Sequence, residues 1–274
     1  MSRKISCFNR VNVCGYVQSF DIRSLGSGTR LANMAIKDEL TNNITYVSMF
    51  DRDVIMFGGT ETTLDGLEKM FMTNVGGKKT SRHVLVKCTG KVRETTTVAN
   101  GATKTYINTT VFSIEPCDDA SKQCATLSIT GVIDAIKFSD DDNGTPMAKL
   151  KVGAMTYNRD KDITGVDNIT LVARGAVAEK LEELDADKNS VISVRADMLN
   201  TLGEVDRFGD RVGAPVKEMA IAKVVFVNTE DEVDEDDLNN YRKAKRLNKG
   251  EVVKVAKETA PKLVDDIDDE DVDF

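Results

Sequence analysis

The sequence predicts an all-β protein with short helices, built from two five-stranded barrels in tandem and followed by a charged, flexible tail. Three observations lead to this prediction. A set of short motifs recurs about 116 residues further along the chain, from Gly15 to Gly131. Within each copy apolar and polar residues alternate, as they do in half-buried strands whose side chains point to opposite faces. Residues 230–274 carry 16 acidic and 8 basic residues, and such dense charge buries no core.

The two copies of the repeat correspond motif by motif. Thirteen residues after Gly15 and after Gly131 stand Gly28 in GSGT and Gly144 in DNGT. Four residues later ANMAI and AKLKV follow in the same register, and NITYVSMF at Asn43 corresponds to NITLVARG after a loop nine residues longer. Internal repetition of this kind indicates a duplicated structural unit.

The first strand of each copy contains a glycine within an alternating pattern. In RVNVCGYVQ the valines and Gly15 alternate with Asn, Cys, Tyr and Gln, and TLSITGVIDAI alternates likewise around Gly131. A missing Cβ allows a strand to bend strongly or to form a bulge. Strong bending is typical of a small closed barrel.

One short helix is expected after the third strand, over residues 62–71 and 175–184, where apolar residues recur at helical spacing. Two strands follow in each copy, over residues 83–92 and 104–116 in the first and 191–199 and 216–227 in the second. Five strands with one helix between the third and the fourth is the order of an OB-fold, a barrel that binds oligonucleotides on one face. We therefore expect an OB-fold over residues 1–118, a second over 119–228, and a flexible tail over 229–274. A pair of unrelated β-sandwich modules is the alternative.

Composition limits the function classes. Residues 1–118 carry 15 basic and 11 acidic residues, whereas the second copy is net negative. Five cysteines without a C-x-x-C pair, and the single histidine His83, predict reduced thiols and no metal or other cofactor. The sequence contains neither a phosphate-binding loop nor a nucleophile motif, so we do not expect an enzyme. The N-terminus lacks the apolar region of a signal peptide, so we expect a cytoplasmic protein.

Several stretches resemble, in order, the successive strands of bacterial-type single-stranded-DNA-binding proteins. They are NRVNVCGYVQSFDIR, GSGTRLANMAIKDE, ITYVSMFDR and HVLVKCTGKVRETTTVANGATKTYINTTVFSIEP. The family has an opening Asn-x-Val strand with a Gly, a Gly-rich turn into an Ala-Asn strand, and a late Gly-x-(Val/Leu)-(Arg/Lys) hairpin. The match covers most of residues 8–118 and, more faintly, 125–228. Two features depart from the family, because this chain has no tryptophan and has two barrels.

The last ten residues, DDIDDEDVDF, resemble the acidic tail of the same family, and some phage versions also end in Phe. The resemblance implies that this tip docks on replication, recombination and repair proteins, such as a polymerase, helicase, primase or recombinase. The implied partner-binding residues are Asp265, Asp266, Asp268, Asp269, Glu270, Asp271, Asp273 and Phe274. The resemblance also implies that the protein acts in a bacterial cell or in a phage-infected host.

Sequence-independent binding of single-stranded DNA needs flat side chains for the bases and cations for the phosphates. The first copy is richer in aromatic residues than the second. Strand alternation favours Tyr46, Phe50 and Tyr16 as stacking platforms, with Phe20 and Tyr106 next. We assign Phe57, Phe71 and Phe112 to the core. For the phosphates we favour basic residues at strand ends or on polar-facing strand positions, namely Arg10, Arg23, Arg30, Arg52, Lys87, Lys91 and Arg93.

Two other functions fit parts of the pattern. An acidic module that mimics nucleic acid would bind a basic partner, but it should be acidic throughout, and residues 1–118 are net positive. Single-stranded RNA is the other alternative, because stacking and phosphate contacts do not read the 2′-hydroxyl. Two barrels in one chain are compatible with a homodimer and with a monomer.

Overall fold

The computed structural model describes residues 6–259 except 27, 53, 100–101, 159, 202–203, 206–210 and 213–215. The predicted partner-binding tip, residues 265–274, lies outside the described residues. No helix within the described ranges is long and apolar enough to cross a membrane.

Strands dominate both halves of the described chain. The first half contains β1 (Phe8–Ser24), β2 (Arg30–Asp38), β3 (Asn43–Phe50), β4 (Ile55–Phe57), β5 (Thr60–Thr62), α1 (Leu64–Phe71), β6 (Met72–Val75), β7 (Lys78–Ser81), β8 (Leu85–Ala99) and β9 (Ala102–Pro116). The second contains β10 (Cys124–Asp140), β11 (Pro146–Tyr157), β12 (Ile163–Arg174), α2 (Ala176–Glu183), β13 (Val191–Thr201), β14 (Glu204–Val205), β15 (Arg211–Val212), β16 (Val216–Asn228) and α3 (Glu235–Thr259).

Each half closes into a five-stranded barrel. The first has the strand order β1-β2-β3-β9-β8, closed by β8 on β1, and the second has β10-β11-β12-β16-β13, closed by β13 on β10. Every neighbouring pair is antiparallel except β3 with β9 and β12 with β16, which are parallel. The predicted tandem OB-fold is confirmed. In each barrel the helix and the two strands that were predicted after it begin within two residues of their predicted first residues. The small hairpins β4–β5 and β6–β7 were not predicted.

The glycines in the two first strands occupy positions where another strand passes very closely. A Cβ on Gly15 would lie 2.5 Å from the carbonyl oxygen of Lys37, and a Cβ on Gly131 would meet the carbonyl of Gly153. Just beyond, β1 bulges between Val17 and Ser19, and β10 bulges between Ile133 and Ala135. The bend that the glycines predicted is therefore present at the same place in both barrels.

The structure aligns the third strands of the two barrels, β3 and β12, one residue away from the alignment that the repeated NIT triplets predict. Ile36 pairs with Thr45 in the first barrel, and Val152, its counterpart, pairs with Ile169 in the second. Thr45 therefore corresponds to Ile169, and Asn43 to Asp167. A shift of one residue reverses the faces of a strand, so the two NIT triplets place their side chains on opposite faces.

The first strands join the two barrels edge to edge. β1 pairs with β10 in the antiparallel direction, and at the centre of the pairing Val11 lies opposite Leu127. These two residues are 116 positions apart, which is the spacing of the repeat, so each barrel presents the same position to the other. Antiparallel pairing of equivalent positions produces a pseudo-twofold axis, the arrangement that a symmetric dimer would have.

Two further contacts cross between the barrels at positions related by this axis. On one side Asn43, which is buried, donates from Nδ2 to the Met198 carbonyl at 2.6 Å and accepts from the Asn200 amide at 2.7 Å. On the other side Asp167, the counterpart of Asn43, lies 3.7 Å from Lys91 Nζ and 3.5 Å from Arg93 Nε. The barrels are thus held by a neutral amide contact on one side and by a charged contact on the other.

All five cysteines are free. Burial raises the pKa of the Cys14 thiol to about 12 and that of Cys7 to about 11, so both remain protonated near neutral pH. Cys88 is buried in the core of the first barrel. Cys14 and Cys88 are both buried and act as small apolar side chains.

The first part of the segment that begins at residue 229 is helical and packed, where we expected a flexible tail from residue 229 onward. Residues 235–259 form α3, and Leu238, Tyr241 and Ala244 are buried against the second barrel. The Tyr241 hydroxyl donates to Asp134 Oδ1 at 2.7 Å, and Lys245 Nζ lies 3.0 Å from the same oxygen. Apolar residues three apart form one helical stripe, and the surrounding charges concealed this stripe in the sequence.

Candidate nucleic-acid interface

Three outward side chains of β3 lie on one open face of the first barrel. Val47 and Met49 point inward and are buried, so Tyr46, Ser48 and Phe50 point outward. The Tyr46 side chain is 61% exposed and Phe50 is 43% exposed. Both rings are available to solvent, as stacking on a base requires.

The neighbouring strand β9 adds two more exposed rings to this face. Tyr106 is 47% exposed and Phe112 is 43% exposed. Ser48 lies beside Thr110 in the parallel pairing of β3 with β9, which places Phe112 level with Phe50. Four aromatic side chains on two adjacent strands therefore face the same side of the barrel.

The assignment of Phe112 to the core was wrong, and a β-bulge is the reason. Thr89 pairs with Ser113 but Gly90 pairs with Val111, which leaves Phe112 as the extra residue. Val111 and Ile114 are both buried, so the two residues between them both point outward. The three-residue spacing of these apolar residues is the signal that sequence reasoning could have used.

Phe20 was predicted to be a stacking platform, and this prediction was wrong for the same reason. The bulge in β1 lies between Val17 and Ser19 and reverses the faces of the residues that follow. Phe20 is therefore fully buried, with its ring 5.6 Å from that of Phe71 in an edge-to-face contact. Phe71 is buried and Phe57 packs against the core, which confirms both core assignments.

Tyr16 is half-buried and already stacks on a protein side chain. Its ring lies 3.9 Å from the imidazole of His83, with an angle of 11° between the two planes. The Nε2 atom of His83 in turn lies 3.7 Å from the Oε2 atom of Glu39. One face of the Tyr16 ring is thus occupied, so this residue is less suited to stacking than the exposed rings of β3 and β9.

Hydrogen-bonding groups surround the exposed rings. Ser48 Oγ donates to Asn33 Oδ1 at 2.8 Å, and Asn108 Nδ2 donates to Thr95 Oγ1 at 2.9 Å. Ser48, Asn33 and Asn108, together with Asp21 and Arg23 of β1, line an open groove beside Tyr46. The groove offers amide and hydroxyl groups that can bind the edges of bases without imposing one sequence.

The predicted cations are divided between this face and other parts of the barrel. Arg23 is exposed in the groove, and Arg52 Nη1 donates to the carbonyl of Phe112 at 3.1 Å. Arg30 forms salt bridges with Asp65, at 2.8 Å from Nη2 to Oδ1, and with Asp51, at 3.6 Å from Nη1 to Oδ2. Arg10 on β1 and Lys87 on β8 are exposed, but they lie on the strands that face the second barrel.

Lys91 and Arg93 were predicted to bind phosphates, but they form the charged contact between the barrels. Their partner Asp167 is only 4% exposed, and its Oδ2 atom has no hydrogen bond from any described residue. Burial raises the pKa of the Asp167 carboxyl above its usual range, and the attraction of Lys91 and Arg93 opposes this increase without cancelling it. The two cations therefore belong to the junction.

Replacing Asp167 with asparagine, the residue at the corresponding position 43, should stabilise the protein at neutral pH. Because the folded-state pKa is raised, the fold favours the uncharged side chain, and the charged form is penalised above that pKa. We expect Asp167→Asn to raise Tm at pH 7 by roughly 1–4 °C. The difference should shrink as pH falls through the folded-state pKa.

Thermal unfolding of wild type and variant between pH 3 and pH 8 tests this expectation, with the exposed Asp142→Asn as control. A lower Tm for Asp167→Asn at pH 7 would show that the attraction of Lys91 and Arg93 outweighs the cost of burial.

The corresponding face of the second barrel lacks the aromatic residues. By the strand register, Thr170 stands in place of Tyr46, Arg174 in place of Phe50, and Ala222 in place of Phe112 at the equivalent bulge. Arg174 is paired with Glu218 at 2.5 Å. The two barrels therefore share a fold but present different chemistry on the same face.

Comparison with known proteins finds similarity only among solved structures. No family model and no curated protein matches the sequence. The single-stranded DNA binding protein from Thermus aquaticus is 15% identical, with 80% of this chain and 92% of that chain covered at a TM-score of 0.48. The small single-stranded DNA-binding protein from Streptomyces coelicolor is 18% identical, with 41% and 98% covered at a TM-score of 0.25. A replication protein A heterotrimer bound to single-stranded DNA is 10% identical, with 87% and 54% covered at a TM-score of 0.24.

Proposed function

We propose that this protein binds and protects single-stranded DNA, without sequence preference, on the open face of the first barrel. The observation that carries the proposal is the set of four exposed rings on β3 and β9: Tyr46, Phe50, Tyr106 and Phe112. Stacking of a base on an aromatic side chain contributes roughly 1–3 kcal/mol and tolerates any base. Four such rings on one face are sufficient for a site that holds several nucleotides.

The groups around the rings support binding of a phosphate-linked strand. Arg23 lies in the groove and Arg52 lies beside Phe112. Residues 1–118 are net positive, which favours approach of a polyanion. The second barrel, net negative and without rings at the corresponding positions, supports a division of labour in which the first barrel is the main binder.

The order of motifs in the sequence and the closed strand order of both barrels together support membership of the bacterial and phage single-stranded-DNA-binding family. On this basis we propose a non-catalytic role in DNA replication, recombination and repair, in the cytoplasm of a bacterial cell or of a phage-infected host. The absence of tryptophan is compensated by the tyrosines and phenylalanines of the exposed face.

Titration of the full chain with oligo(dT), oligo(U) and duplex DNA at about 50 and about 200 mM salt tests the proposed function. We expect oligo(dT) to bind more tightly than duplex, with an affinity that falls as salt rises because neutralised phosphates release counterions. Equal affinity for oligo(U) would extend the function to RNA. Failure to bind any nucleic acid, with binding to basic proteins, would favour the nucleic-acid mimic instead.

We further propose that the acidic tip recruits other proteins of DNA metabolism. The basis is the sequence DDIDDEDVDF, in which the ring of Phe274 follows the carboxylate of Asp273. Such a pair fits a pocket with an apolar floor and a rim of Arg or Lys, as in the recognition of acidic motifs.

Phe274→Ala should therefore abolish recruitment of replication proteins while DNA affinity stays unchanged, because the substitution removes only the apolar anchor. A pull-down with wild type, Phe274→Ala and the matched control Val272→Ala measures this. Recovery of the same partners by all three would contradict the proposal and would favour a solubilising role for the tip.

A further inference from the structure

We infer that a cleft at the junction of the two barrels is a second subsite for a nucleobase, through which a bound single strand continues onto the second barrel. This inference rests on the proposed function, because it extends the same binding path. The cleft lies where β3 and β9 of the first barrel meet β13 and β16 of the second, and it is open to solvent on one side. One base can rest a face on such a cleft without being enclosed by it.

The cleft is continuous with the groove on the first barrel. Tyr46, Ile107 and Thr109 line both of them. Tyr46 is the most exposed of the four rings, and it stands at the boundary between the two spaces. A strand that stacks a base on Tyr46 therefore has the cleft as the next space in its path.

The lining suits a flat apolar ligand that carries a negative charge on one side. Ile44, Ile107 and Leu199 are half-buried walls, and Met198 and Met219 are buried beneath them. These residues provide apolar surface for the faces of a base.

The rim supplies a cation for the adjoining phosphate. Lys217 is exposed at the edge of the cleft. The carboxylate of its neighbour Glu218 is paired with Arg174 at 2.5 Å, so the negative charge next to the cleft is already neutralised. The combination of an apolar floor and a basic rim matches one nucleotide.

The pseudo-twofold axis provides an internal comparison. At the related junction the counterpart of Tyr46 is Thr170, whose amide and hydroxyl both donate to the carboxylate of Glu94, at 2.7 and 2.9 Å. Arg93, the counterpart of Leu199, contacts Asp167 there. There these contacts fill the junction, whereas the junction beside Tyr46 keeps an open apolar cleft next to the contact of Asn43 with Asn200. The asymmetry favours one path for the strand.

Oligonucleotide length distinguishes this subsite from the first-barrel face. The full chain should be titrated with oligo(dT) of about 6 and about 20 nucleotides, which is within and beyond the span of one OB-fold. We expect the double variant Leu199→Ala Lys217→Ala to bind the longer oligonucleotide roughly 5- to 30-fold more weakly while its affinity for the shorter one stays within about twofold.

Lys217→Ala alone, at an exposed position, provides a second readout that does not depend on packing. The slope of log K against the logarithm of the salt concentration, measured with the longer oligonucleotide, should become shallower by about 0.7, which corresponds to the loss of one phosphate contact. Lys180→Ala, an exposed cation on α2, is the control and should leave the slope unchanged.

If wild type binds both lengths but the double variant loses neither or loses both equally, the cleft is not a subsite, and the proposed function stands. If wild type binds neither length, the proposed function itself fails.

Discussion

Replacing both Tyr46 and Phe50 with alanine should weaken the binding of oligo(dT) by roughly 2–4 kcal/mol, or about 30- to 1,000-fold in Kd. The two rings are the outward aromatic side chains of β3, and each offers an exposed face for a base. The protein should remain folded, because neither ring belongs to the buried core. Fluorescence anisotropy with a labelled oligonucleotide, at one fixed salt concentration, measures the change.

The matched control is the double variant Phe138→Ala Tyr157→Ala. These two rings of the second barrel are 38% and 46% exposed, but they lie outside the face defined by β3 and β9. The control should bind oligo(dT) like wild type. Unchanged affinity in a folded Tyr46→Ala Phe50→Ala variant would remove these residues as stacking platforms.

Substituting Gly90 with alanine should destabilise the protein by roughly 1–3 kcal/mol, the typical cost of overpacking. A Cβ at this position would meet the carbonyl oxygen of Thr110 and would lie 2.8 Å from the Cα of Val111. These atoms belong to the backbone of β9 and cannot move aside by a change of rotamer. Urea unfolding monitored by circular dichroism measures the loss.

Gly26→Ala is the control, because a Cβ there would meet no atom within 4 Å. Gly90→Ala should also weaken DNA binding, since the backbone that it displaces carries the bulge at Phe112. A Gly90→Ala variant as stable as wild type would mean that β8 and β9 can separate without cost.

The sequence was sufficient to predict the order of strands and helices, because hydrophobic periodicity and the repeat are local signals. The helix predicted over residues 175–184 is observed over Ala176–Glu183, and the strand predicted over 216–227 over Val216–Asn228. Two copies of the same pattern also support each other, because each predicted strand and helix appears in both.

The orientation of individual side chains was predictable only as far as the first bulge. Phe20 and Phe112 each follow or occupy a bulge, and one extra residue reverses inside and outside. Strict alternation assumes no such reversal, although the three-residue spacing of Val111 and Ile114 departs from it. The role of Asp167 was beyond prediction for a different reason, because its partners Lys91 and Arg93 are 74 or more residues away in the chain and meet it only through the pairing of the barrels.

The edge-to-edge pairing of β1 with β10 has a consequence for how this molecule can change over generations. In an assembly of identical subunits each inherited substitution appears on both sides of the axis, so a gain on one side must be tolerated on the other. Here the two sides are encoded separately. Asn43 and Asp167, or Tyr46 and Thr170, could diverge independently while the shared strand pairing kept the halves in place. Covalent fusion of the repeat thus removes the constraint of symmetry and leaves its geometry intact.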